Sequence, residues 1–101
     1  MPFTVVDVTW DPVEDATNRA KHGVSFAEAA ELFTSGSDDL EIFDEAHSDE
    51  EDRFLAIGPI ARGLVLVVMT EPSDHAVRII SARWATEGER ALYRAHVGGA
   101  S

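Results

Sequence analysis

The run Leu64-Val65-Leu66-Val67-Val68-Met69 is apolar at every position, odd and even alike. A strand apolar at both parities belongs at the centre of a sheet that is covered on both faces. The same run is the longest apolar stretch of the chain, far short of the roughly 20 residues that cross a bilayer. The N-terminus also lacks the basic-then-apolar pattern of a signal peptide. A cytoplasmic protein without a membrane role is therefore expected. Outward from this centre, Leu40 to Phe43, Arg53 to Gly58 and Ala76 to Arg83 read as further strands. Turn residues punctuate them, Arg62-Gly63 before the central run and Pro72-Ser73-Asp74 after it. Connections this short favour antiparallel hairpins. Phe3 to Trp10 reads as one more strand.

Capping chemistry marks three helix starts. Asp11-Pro12-Val13-Glu14 offers an N-cap acceptor, a proline at the first helical position and a glutamate placed to bond back to the cap. A helix from about Pro12 to Lys21 follows, and Gly23 is placed to end it in a left-handed cap. Ser25-Phe26-Ala27-Glu28 is a second capping box, with Phe26, Ala29, Ala30 and Phe33 at helical spacing on one face. Thr86-Glu87-Gly88-Glu89 starts a third helix that runs towards His96 and is ended by Gly98 and Gly99. The acid-rich stretch Asp44 to Asp52 reads as a solvated loop. The order β-α-α-β-β-β-β-α defines an α+β domain, one unit over residues 1–101.

The 101 residues carry 8 basic and 19 acidic side chains, net −11. That balance argues against a chain that coats nucleic acid. The average conceals an asymmetry: residues 1–52 hold 2 basic and 15 acidic side chains, residues 53–101 hold 6 and 4. Screening acts over about 8 Å at physiological salt, so an arginine cluster in the second half can still bind an anion locally. No cysteine is present, which removes disulfides, thiolate nucleophiles and Cys-based zinc sites. His47, His75 and His96 show no ligand spacing, so no metal or other cofactor is expected.

Several segments together resemble the BrnT toxin family: Trp10-Asp11-Pro12, Asn18, Lys21-His22-Gly23-Val24-Ser25-Phe26 with Glu28-Ala29, Arg53-Phe54-Leu55-Ala56-Ile57-Gly58, Leu66-Val67-Val68, Arg78-Ile79-Ile80-Ser81-Ala82-Arg83 with Ala85-Thr86, Glu89-Arg90 and Tyr93. The resemblance implies a RelE-like fold, with an antiparallel sheet of four or more strands, two N-terminal helices and one C-terminal helix. It further implies the ribonuclease toxin of a type II toxin–antitoxin pair, which cleaves RNA without a metal and inhibits translation. Such a toxin is neutralised by a BrnA-type antitoxin and meets operator DNA only through that complex. The chain departs from the family in being less basic: Glu14 stands where a lysine is common, and Trp84, Gly88 and Ala91 lie in a segment that is often strongly basic. Phosphate contacts supply most sequence-independent affinity for nucleic acid, so these departures weaken the expected hold on RNA.

The residues at matching family positions suited to this chemistry are Lys21, His22, Arg53, Arg78 and Arg83. Histidine can act as base or acid, and the arginine fork can donate two hydrogen bonds to a phosphate. Each also has a structural alternative. Lys21 and His22 end a helix, where a cation can bond the last carbonyls. Arg53 follows four acids and can form a surface ion pair. Arg90 and Arg94, at i and i+4 on the last helix, either bind an anion or face solvent, the second being the expected case, and Tyr93, which could donate a proton only with a lowered pKa, reads as packing. Arg78 and Arg83 have opposite parity, so a regular strand would send them to opposite faces. Either Arg83 lies past the strand end, the expected case, or a bulge intervenes. The nuclease reading needs Arg53, Arg78 and Arg83 to converge on one hollow. The competing readings are a BrnT-fold binding module with little or no activity and, more remotely, an acidic mimic of nucleic acid. In the nuclease and binding-module readings alike, an acid-rich surface would steer a basic antitoxin towards its interface.

Overall fold

The computed structural model describes residues 7–35, 38–47 and 51–98. The elements are β1 (Asp7–Thr9), α1 (Pro12–His22), α2 (Phe26–Thr34), β2 (Leu40–Phe43), a single 3-10 turn (Glu45–His47), β3 (Arg53–Ile60), β4 (Gly63–Ser73), β5 (Ala76–Trp84) and α3 (Glu87–Gly98). Phe3 to Val6, part of the expected first strand, and Gly99 lie outside the described residues, as do positions 48–50 of the acid-rich loop.

Five strands form one sheet in the order β1-β5-β4-β3-β2. The expected hairpins are present, since β2–β3, β3–β4 and β4–β5 all pair antiparallel. The sheet as a whole is mixed, because β1 pairs parallel with β5. About two thirds of the chain separates these two strands, so no tight turn dictates their direction. β4 is the central strand, and Val65, Leu66, Val67 and Met69 along it are buried. Strand β5 runs on through Trp84, so Arg83 lies inside the strand and not beyond its end. The bulge alternative is the one realised: Val68 pairs with Ser81 while Met69 pairs with Ile79, leaving Ile80 as an extra residue.

The caps form as their residue types dictate. Asp11 Oδ1 accepts from the Val13 N–H at 2.7 Å, and Gly23 ends α1 at φ +75°, donating its N–H to the Arg19 carbonyl. Glu14 does not close this cap; its carboxylate lies 3.9 Å from Arg78. In α2 the Ser25–Glu28 box is reciprocal, and Asp15 of α1 accepts from the Phe26 N–H at 2.9 Å, tying the two helices together. The buried stripe of α2 is Phe26, Ala29 and Leu32, with Ala30 and Phe33 at its margin. It packs on one sheet face against Ala56, Val65, Val67, Met69, Val77, Ile79 and Ala82. Leu32 lies so close over Gly58 that a Cβ there would collide with its side chain and stand 3.2 Å from the Asp39 Cβ. The second face carries the other parity of β3 and β4, including the buried pair Ile57 and Leu66.

Candidate functional site

Among the described residues, strand β1 covers Asp7–Thr9 against Ala76–Arg78, and no described strand pairs with the rest of β5 on that side. Asn18 of α1 takes the place of the missing rung. Its Nδ2 donates to the Ala82 carbonyl at 2.7 Å and to the Val24 carbonyl at 3.1 Å, while its Oδ1 accepts from the Ala82 N–H at 3.1 Å. One buried side-chain amide thus satisfies both backbone groups of Ala82, which would otherwise be stranded. This fixes α1 alongside the outer half of β5.

Between α1 and β5 lies a surface hollow of about 290 Å³. On the helix, Glu14, Thr17, Asn18 and Lys21 recur at helical spacing and face it together with His22; Ile80 and Ser81 of the bulge form the opposite wall. Arg78 is outside the lining residues but reaches one of them, Glu14, at 3.9 Å, with 44% of its side chain exposed. Lys21, His22 and Arg78 therefore come to one place from two ends of the sequence.

The remaining two expected site residues do not line the hollow. Register nonetheless puts all three arginines on one face of the sheet. Arg53 and Arg78 both pair with Thr70, from β3 and β5 respectively, and Arg83 pairs with Leu66, of the same parity as Thr70 along β4. The bulge at Ile80 is what brings Arg83 to the face of Arg78. Arg53 is half-buried. Arg83 is engaged: its two terminal nitrogens donate to both oxygens of Glu89 at 2.8 Å each. Glu89 is also the capping glutamate of α3, accepting from the Thr86 N–H at 2.9 Å. The Arg83 guanidinium beside it holds the Glu89 carboxyl down to about 2, against an ordinary 4.5.

A second clamp of the same design was not foreseen. Arg62, read in the sequence only as a turn residue, donates to Glu28 at 2.6 and 2.9 Å and to the Gly23 carbonyl at 2.8 Å, while lying 5.1 Å above the Trp84 ring. Glu28, in the α2 capping box, is likewise held down to about 2 by Arg62. Tyr93 is a packing residue whose hydroxyl donates to the Asp38 carbonyl at 2.9 Å, and burial, with the nearby Asp38 and Asp39 charges, pushes its phenol up. Among the described residues no group of three or more His, Asp or Glu side chains is arranged to hold a metal ion. No helix among the described residues is long and apolar enough to cross a membrane.

Two likenesses define what class of molecule carries these features. The sequence profile described as "Ribonuclease toxin, BrnT, of type II toxin-antitoxin system" matches residues 10–89. The crystal structure of the Brucella abortus ribonuclease toxin, BrnT, solved at 1.1 Å, superposes with a TM-score of 0.60 at 25% identity, over 81% of this chain and 99% of that one. No curated protein matches the chain in sequence. The class is that of type II ribonuclease toxins, in which a toxin is paired with an antitoxin. Within it, the chain belongs to the BrnT family.

Proposed function

We propose that this BrnT toxin cleaves RNA without a metal, in the cytoplasm, at the hollow between α1 and β5. The observation that carries the reading is the meeting of Lys21, His22 and Arg78 around one concave surface. Cleavage of this type joins the 2′-oxygen to phosphorus as the bond from phosphorus to the 5′-oxygen breaks. One proton leaves the 2′-hydroxyl and one reaches the 5′-oxygen, so the balance needs proton carriers and charge stabilisation, and no redox partner. His22 is the group suited to carry a proton. Arg78, Lys21 and Arg53 are suited to the phosphate charge. Arg83 would touch phosphate only by exchanging Glu89, so we assign it the positioning of α3.

The proposed partners are a BrnA-type antitoxin and RNA, with operator DNA reached only through the antitoxin complex. A basic antitoxin would meet a complementary surface on the acid-rich first half. The test is cleavage of a mixed RNA by purified protein in excess chelator. Wild type is expected to cut, with Arg78→Ala and His22→Ala each slower by about 10²-fold or more. Intact RNA with a folded wild type would reject the nuclease reading. A second reading, the weakly active binding module, has its own support: Glu14 faces Arg78 and Glu89 occupies Arg83. It predicts antitoxin binding unchanged by either substitution and no growth arrest on expression.

A further inference from the structure

We propose that the hydroxyl of Thr70 is a phosphate ligand, completing with Arg53 and Arg78 an anion subsite on the sheet face opposite α2. The proposal rests on the reading of the chain as an RNA-binding toxin. Thr70 is fully buried, and its Oγ1 has no hydrogen-bond partner among the described residues. Buried hydroxyls in folded proteins nearly always find an acceptor, because leaving one unmade forfeits its hydration without return. The strand around it offers no reason for the hydroxyl, since Val68, two residues away on the same face of β4, shows that the same shape without oxygen is accepted there. A valine at 70 would have been the choice of packing alone. Positions where a local rule is broken at a cost are where function is to be sought.

The surroundings say which ligand the hydroxyl awaits. Thr70 is the cross-strand partner of Arg53 on one side and of Arg78 on the other. Directly paired residues hold their Cβ atoms about 4.5–5.5 Å apart, so an arginine side chain leaves the sheet on either side of one hydroxyl. Two forked cations flanking a single O–H donor match a phosphodiester oxygen set and repel any cation. Arg78 is the side that can open: it is 44% exposed and lies 3.9 Å from Glu14. A phosphate that draws Arg78 from Glu14 brings its own oxygen over Thr70, where Oγ1 donates to it.

The test is binding of a 2′-O-methyl RNA decamer, which the proposed mechanism cannot cleave, followed by fluorescence anisotropy, alongside thermal unfolding. Thr70→Val is expected to weaken binding about tenfold, as for one lost hydrogen bond to a charged group, while its Tm equals or exceeds wild type. Thr70→Ser, which keeps the hydroxyl, is expected to bind within about twofold of wild type. Wild-type affinity in Thr70→Val, with weaker binding in Arg78→Ala, would overturn the subsite and leave the RNA reading standing. Binding insensitive to Arg78→Ala as well would overturn both. A Thr70→Val protein that fails to fold would also overturn the proposal, because it would show the hydroxyl to be structural.

Discussion

Arg78 and Arg83 lie on the same strand and the same sheet face, yet their surroundings divide them. Arg83 is gripped by both oxygens of a glutamate that also caps α3, and only 36% of its side chain is exposed. Arg78 stands in the open beside a half-exposed glutamate at 3.9 Å. A bidentate carboxylate fork is satisfied and geometrically locked, whereas a long exposed pair contributes about 0–1 kcal/mol and exchanges readily with another anion. The same residue type is thus framework at one end of β5 and available chemistry at the other. Arg62 and Glu28 repeat the framework pattern on α2, so the fold uses capping glutamates twice as sockets for arginines, one from strand β5 and one from the β3–β4 turn.

The sharpest way to break this comparison is to detach the helix that gives Arg78 its neighbours. Asn18→Ala removes four hydrogen bonds, one of them the long bond from the Ser81 hydroxyl, and strands the N–H and carbonyl of Ala82, an expected loss of about 2–4 kcal/mol. Chemical denaturation should report that loss and thermal melting a Tm lower by roughly 10–20 °C. A Tm within a degree or two would mean that water replaces the amide at the β5 edge. Next in size, Arg83→Ala is expected to cost about 1 kcal/mol and Arg78→Ala clearly less, read from the two melting curves at neutral pH. The Arg83 effect also has a pH signature. Glu89 is depressed to about 2 in the folded state, so its contribution is complete above about 4.5 and is lost as pH falls through about 2. The Tm gap between wild type and Arg83→Ala should therefore narrow between pH 5 and pH 2.5, and a constant gap would deny the clamp.

Much of the frame was legible because it rests on local chemistry. Asp11, Ser25 and Thr86 mark helix starts through their own side chains, and the double-parity run at residues 64–69 announces a central strand. The direction of β1 was not legible, since it depends on a partner almost seventy residues away, as the pairing of Asp7 with Ala76 shows. The site divides in the same way. Lys21 and His22 were visible as cations at a helix end, but the hollow they face is created by Asn18 bonding to Ala82, a contact with no sequence periodicity. The face of Arg83 turned on one bulged residue, Ile80, which strand alternation cannot foresee because Ile80 is itself good strand material. Thr70 was passed over for a similar reason: a single threonine among valines carries a signal only once its missing partner is known.

The acids of the β2 edge should respond to pH in the opposite sense to the clamp acids, with the smallest effect of the set. Burial pushes the Asp39 carboxyl up, and burial with the neighbouring Asp39 and Glu71 charges pushes Glu41 up to about 7. A raised carboxyl means that the folded state holds its proton more tightly than the unfolded chain does. Stability from this pair is therefore unimpaired below about 4.5 and falls as pH rises towards about 7. Glutamine cannot ionise, so Glu41→Gln should melt above wild type at pH 8 and level with it at pH 4. Because Glu28 and Glu89 lose their contribution on the acid side of about 4.5 and the Asp39–Glu41 pair weakens the fold on the alkaline side, wild-type stability should peak near pH 5. In Glu41→Gln that maximum should broaden towards neutrality. An unmoved maximum would show that the two carboxyls are screened from one another by solvent, and that the acid-rich edge adds charge without strain.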